Sequence, residues 1–161
     1  MLLEILSPVS AVGSITAREG NNSSCVLRIR WRDIQLLLPG DIESATEYQL
    51  LDTGRLDGPH LDVLVAPHHG SKTSSTAKFV QQLQPKHVVF SAGYRHQFGH
   101  PHPSVVNAYN AVNSRVWNTA EQGAITFEWL PSGEPPERRT GELAGELKII
   151  TARSQTRRWW R

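Results

Sequence analysis

The chain carries seven histidines: His60, His68, His69, His87, His96, His100 and His102. Six of them fall between positions 68 and 102. Imidazole is the commonest metal ligand and the side chain most ready to carry a proton near neutral pH. Three segments around the cluster share one form, an apolar run that ends in a polar group. Leu36-Leu37-Leu38 leads into Pro39-Gly40-Asp41. Val63-Leu64-Val65-Ala66 leads into Pro67-His68-His69-Gly70-Ser71. Val88-Val89-Phe90 leads into Ser91-Ala92-Gly93, and then to Gly99-His100-Pro101-His102-Pro103. A carboxylate with imidazoles is a hard-to-borderline donor set, suited to zinc, manganese or iron. Taken singly, each cluster has a plain structural alternative. Gly40-Asp41 reads as a turn with an Asx cap, the His-His-Gly-Ser run as a helix-start loop, and the His-Pro-His-Pro run as a rigid loop. Ser91 lacks the Gly-x-Ser-x-Gly surroundings of a nucleophile elbow. Their conjunction, in this order, carries the reading of a site.

Elements that would position these clusters follow from periodicity. Cys25–Trp31 and Ile34–Leu38 read as a hairpin split by Arg32-Asp33. Glu43–Leu51 has helical composition, with Ala45, Tyr48, Leu50 and Leu51 expected to face a core. Leu61–Ala66 reads as a buried strand. Ser75–Leu83 reads as a helix carrying Ala77, Phe79, Val80 and Leu83, with Ser74 or Ser75 as its N-cap. His87–Phe90 is the next strand. Pro103 suits the first turn of a helix bearing Val105, Val106, Tyr109 and Val112. Arg115–Asn118 and the alternating Gly123–Leu130 complete the strands, with Leu147–Ala152 as a last candidate. Strands alternating with helices predict an α/β fold, and the hairpin makes its sheet mixed. Ligands in open α/β sheets bind beyond the carboxyl ends of strands, so the three clusters are expected to converge on one edge.

Composition limits the function classes. At 161 residues, 39% hydrophobic and 20% charged, the chain is of one-domain size and ordinary globular character. Cys25 is the single cysteine, which excludes an internal disulfide and a Cys-based zinc finger. The longest apolar run, Val63 to Ala66, is far short of the roughly 20 residues of a membrane span. No signal-peptide pattern opens the chain. Net charge is +2, but the last nine residues carry Arg153, Arg157, Arg158 and Arg161 without an acid. Such a basic tail suits nucleic acid or anionic lipid, or is simply solvated.

The quoted motifs resemble the C-terminal metallo-β-lactamase-like domain of the ComEC competence proteins, the DNA internalisation-related family. The matching stretches are Asn22-Ser23-Ser24-Cys25-Val26-Leu27 and Leu37-Leu38-Pro39-Gly40-Asp41-Ile42-Glu43. Asp62 through Ser71, Ser91 through Pro101, and the strand from Gly123 extend the match. The resemblance implies the C-terminal part of an αββα sandwich, a mixed sheet flanked by helices. Residues 1–130 would form this partial domain, and 131–161 a Pro/Gly/Glu-rich linker with a last strand and the Arg/Trp tail. It implies Asp41 as a metal-bridging carboxylate. It assigns the last histidine ligand to the His68-His69 pair without choosing between them. It places His100 beside the metal as ligand or proton donor. The implied cofactor is a divalent metal, zinc or manganese. The implied reaction is attack of metal-activated water on a DNA phosphodiester, single-stranded or duplex.

One family motif is missing. His-x-His-x-Asp-His should lie upstream, yet no histidine precedes His60. The expectation is a fragment of a longer inner-membrane protein that holds at most half of a binuclear site and binds metal weakly. Its membrane-channel portion would be a partner, and exposed sheet edges would drive self-association. Two other readings stand beside it: a different hydrolase of the same fold acting on esters, lactones or phosphodiesters, and an inert remnant that binds DNA.

Overall fold

A computed structural model describes residues 1–8, 20–57, 61–94, 98–130 and 146–155. The candidate linker 131–145 and most of the Arg/Trp tail lie outside the described residues, as do His60 and His96. Six strands form one sheet in sequence order: β1 (Leu2–Ser7), β2 (Val26–Trp31), β3 (Ile34–Leu38), β4 (Val63–Val65), β5 (His87–Phe90) and β6 (Arg115–Asn118). The first two pairings are antiparallel and the remaining three parallel. The mixed sheet expected from the hairpin is therefore observed. A two-residue turn joins β2 to β3, and Arg32 takes the positive φ, 55°, that such a turn demands.

Helices α1 (Ser44–Asp52), α2 (Ala77–Leu83) and α3 (Pro103–Ala111) follow β3, β4 and β5. They cover one face of the sheet. Leu37, Leu64, Val88 and Val116 stand in register on that face. Leu50, Phe79, Val80, Leu83, Val105 and Tyr109 pack down on it. This is an α/β layer consistent with a metallo-β-lactamase-like sandwich. Two short helices, α4 (Thr119–Gln122) and α5 (Ala152–Gln155), were not expected from the sequence. An antiparallel ribbon of β7 (Ile125–Leu130) and β8 (Glu146–Thr151) joins the two sides of the boundary expected at residue 130.

Two helical expectations need correction. Ala45 is exposed and Tyr48 is 44% exposed, whereas Thr46, Glu47 and Leu50 are buried. The reason is polar. The Glu47 carboxylate turns inward and accepts from the backbone N–H groups of Ser75 and Thr76. Those donors open the turn before α2 and would otherwise be unsatisfied in the core. The N-cap of α2 is accordingly Thr76, whose hydroxyl accepts from Phe79 N, and neither Ser74 nor Ser75. Ser74 instead donates to the carbonyls of Pro67 and Ser71, and Ser75 pairs with the Tyr109 hydroxyl at 3.0 Å. Burial raises the Glu47 carboxyl above its ordinary range.

The sheet's other face is mostly apolar, with His87 and Arg115 at its β5–β6 end. Leu3, Ile29, Leu36, Val63, His87 and Arg115 form one row across all six strands. Ile5, Leu27 and Leu38 form a second row, and Val65, Val89 and Trp117 stand in register beyond it. Phe127 of β7 meets the rings of His87 and Trp117 at one end. At the other end Leu3 is 54% and Ile5 64% exposed.

Candidate functional site

Strands β3, β4 and β5 run parallel, so their carboxyl ends share one edge of the sheet. The three polar clusters meet there, as strand direction requires. The loop after β4 is tied to the loop after β3 by His68 N–H donating to the Gly40 carbonyl at 3.0 Å. It is tied to the loop after β5 by His102 N–H donating to the Gly70 carbonyl at 2.9 Å.

This middle loop is strained. His68 and His69 take φ of 47° and 56°, in the left-handed region that side chains ordinarily avoid. Ser71 N–H donating to the His68 carbonyl, with the two Ser74 hydroxyl bonds, holds them there. Gly70 follows at φ 82°, and a Cβ on it would meet the Phe90 ring at 2.6 Å and Pro101 at 2.8 Å. Glycine is required by conformation and by space.

The strain aims the two imidazoles in different directions. His69 Nε2 lies 3.5 Å from Asp41 Oδ1, and both side chains are nearly half exposed. His68 turns toward a second polar group, built around Glu43 and Thr73. Its Nδ1 lies 3.2 Å from Thr73 Oγ1 and 3.4 Å from Glu43 Oε1. Thr73 donates to Glu43 at 3.0 Å, and Asn21 Nδ2 donates to the same carboxylate oxygen at 3.3 Å. Asn22 accepts from Glu43 N–H at 3.0 Å and from the Thr46 hydroxyl at 2.8 Å, which fixes the start of α1. His100 completes the cluster, its ring 5.9 Å from that of His68.

Asp41, His68, His69 and His100 are therefore neighbours. The remaining described histidines have other work. His102 caps α3, its Nδ1 accepting from Ser104 N–H at 3.3 Å. His87 accepts from Trp117 Nε1 at 3.1 Å on the far face of the sheet. Burial and the Arg115 charge lower its pKa. Glu43, Thr73, Asn21 and Asn22 were not read from the sequence as site residues. Glu43 sits in the Gly-Asp-Ile-Glu motif, two places after Asp41, which is the one signal that pointed to it.

A zinc ion held at about 2.0–2.2 Å by tetrahedral donors sets those donors roughly 3.3 Å apart. The Asp41–His69 spacing fits two adjacent vertices of that arrangement. Among the described residues no three His, Cys, Asp or Glu side chains form a group able to hold a metal. The described residues thus offer one carboxylate–imidazole pair at ligand spacing and no larger group.

No family model matches the chain. Curated relatives do. ComE operon protein 3 of Bacillus subtilis is 36% identical over 109 residues, 68% of this chain. Competence protein ComA of Neisseria gonorrhoeae is 36% identical over 110 residues, and Recombination protein 2 of Haemophilus influenzae is 34% identical over 128. The chain belongs to the ComEC family of competence proteins. The match covers 14%, 16% and 15% of these three relatives, so the chain spans a small part of a ComEC protein's length. Among the described residues no helix is long and apolar enough to cross a membrane.

Proposed function

We propose that this chain supplies one side of a metal-dependent phosphodiesterase site in a DNA-uptake protein. The observation that carries the reading is the Asp41–His69 pair at the edge where β3, β4 and β5 end. A carboxylate oxygen and an imidazole nitrogen face each other in reach of solvent, which is how two ligands of one ion are disposed. Zinc or manganese held there would activate water and stabilise charge on a phosphoryl oxygen. In this reading the remaining donors come from elsewhere in the parent protein, and the chain alone is expected to bind metal weakly.

Each remaining residue has a distinct part. His69 is the ligand of the histidine pair. His68 is a positioning residue whose imidazole, held by Glu43 and Thr73, fixes the left-handed turn that presents His69. His100 lies across from His68 and, as imidazolium, protonates the leaving oxygen. DNA is the substrate in this reading, and the parent's membrane portion is the partner that delivers it.

The test is cleavage of DNA with manganese or zinc by a protein extended to include the upstream reading frame. Cleavage that requires metal and is lost in Asp41→Asn supports the proposal. Metal-independent cleavage, or DNA binding with no cleavage at any metal concentration, refutes it.

A further inference from the structure

Eight large apolar side chains are prominently exposed among the described residues. Two of them, Tyr94 at 67% and Phe98 at 66%, belong to the loop segment after β5 that leads to His100. The Phe98 ring stacks on that of His100, with centroids 6.2 Å apart and planes 29° apart. The guanidinium of Arg153 lies 5.6 Å from the centre of the Tyr94 ring. Arg153 is itself anchored, donating to the Glu121 carbonyl at 2.6 Å. An open groove of about 770 Å³ is lined among others by Tyr94, His100, Asn118, Glu121, Gln122 and Arg153, and Phe98 adjoins it through its chain neighbour Gly99 and its ring contact with His100.

Flat exposed rings, amide side chains and an anchored cation beside a phosphodiester site match one ligand chemistry. Unpaired nucleobases offer π-faces to aromatic rings, and their phosphates offer charge to Arg. Bases within a duplex are already stacked and offer no free face. We propose that Tyr94 in the groove and Phe98 beside it are stacking platforms for the unpaired bases of a single-stranded nucleic acid that runs along the groove, with Arg153 on a backbone phosphate. The proposal rests on the phosphodiesterase reading and adds to it the strand state of the substrate and the residues that select it.

The test is binding, measured in EDTA so that cleavage plays no part. Fluorescence anisotropy of the full chain would use a labelled 20-nucleotide oligothymidylate, the matching 20-base-pair duplex and an all-abasic strand. The single strand should bind at least tenfold tighter than the duplex. Tyr94→Ala and Phe98→Ala should each weaken the single strand about tenfold, within the range of one stacked base. Tyr94→Phe keeps the ring face and should stay within about twofold. Arg153→Gln should flatten the log–log salt dependence by about 0.7, one phosphate contact on a single strand. The abasic strand should bind wild type and Tyr94→Ala alike. Equal affinity for single strand and duplex, or unchanged binding in both alanine variants, overturns the proposal. Loss of cleavage in the extended protein with these binding differences intact would refute the hydrolytic reading and leave the platform standing.

Discussion

His69 Nε2 faces Asp41 Oδ1 across 3.5 Å from a loop in which two successive histidines hold left-handed backbone. The pairing is a product of the turn, and the turn depends on Gly70. In Gly70→Ala a Cβ would press on Phe90 and Pro101 at a φ of 82°. The expected cost is about 3 kcal/mol, from overpacking plus left-handed strain. Urea denaturation measures it, and a loss under about 1 kcal/mol would show that the loop relaxes freely.

The buried Glu47 carboxyl makes stability depend on pH. Its folded pKa is raised. Above pH 4.5 the unfolded chain gives up this proton before the folded one does, so the group's contribution falls as pH rises until the folded pKa is passed. Glu47→Gln should remove that downward slope and cost about 1 kcal/mol near neutral pH, since one amide oxygen replaces two carboxylate acceptors. Thermal denaturation of both proteins between pH 4 and 8 shows it. An identical slope in the variant would place the pH dependence on another group.

The sheet's second face gives a prediction on association. Leu3 and Ile5 lie more than half exposed at the apolar end of two rows on this face. An apolar face of this extent drives self-association unless something covers it. Sedimentation velocity should show concentration-dependent oligomers for the chain. Leu3→Lys with Ile5→Lys should shift it toward monomer. A wild-type chain that stays monomeric at 100-fold dilution and concentration alike would contradict this.

Much of this architecture was legible in sequence. Alternation and β-branched runs set β2 through β6, and Pro85 and Pro103 bounded α2 and α3. Strand direction then brought the three polar clusters to one edge. What escaped was decided by contacts between distant residues. Glu47 looks like a solvent-facing helix residue until the donors of Ser75 and Thr76 claim it. The difference between His68 and His69 is invisible in a His-His pair. It arises from a backbone conformation held by bonds to Gly40, from Ser71 and from the Ser74 hydroxyl, and by the space that Gly70 leaves. Asn21 and Thr73 became site neighbours by converging on Glu43. The helix α4 spans four residues, too few for a periodic signal.

His100 as proton donor predicts a dependence on the leaving group. In the extended protein, His100→Gln should slow cleavage of DNA, with its poor alkoxide leaving group, by about 100-fold or more. A p-nitrophenyl phosphodiester needs no protonation to depart and should lose less than about fivefold. Equal losses on both substrates would assign His100 to binding or metal ligation in place of proton transfer.

In the proposed site Asp41 and His69, and not His68, hold the same metal ion. Isothermal titration of the chain with zinc decides between these ligands. Binding should be weak and one-to-one, and should fall about 100-fold in both Asp41→Asn and His69→Gln, as when a direct ligand is lost. His68→Gln, which disturbs only positioning, should lose about tenfold. Zinc affinity unchanged in Asp41→Asn, or a larger loss in His68→Gln than in His69→Gln, would rule out Asp41 and His69 as the shared ligands.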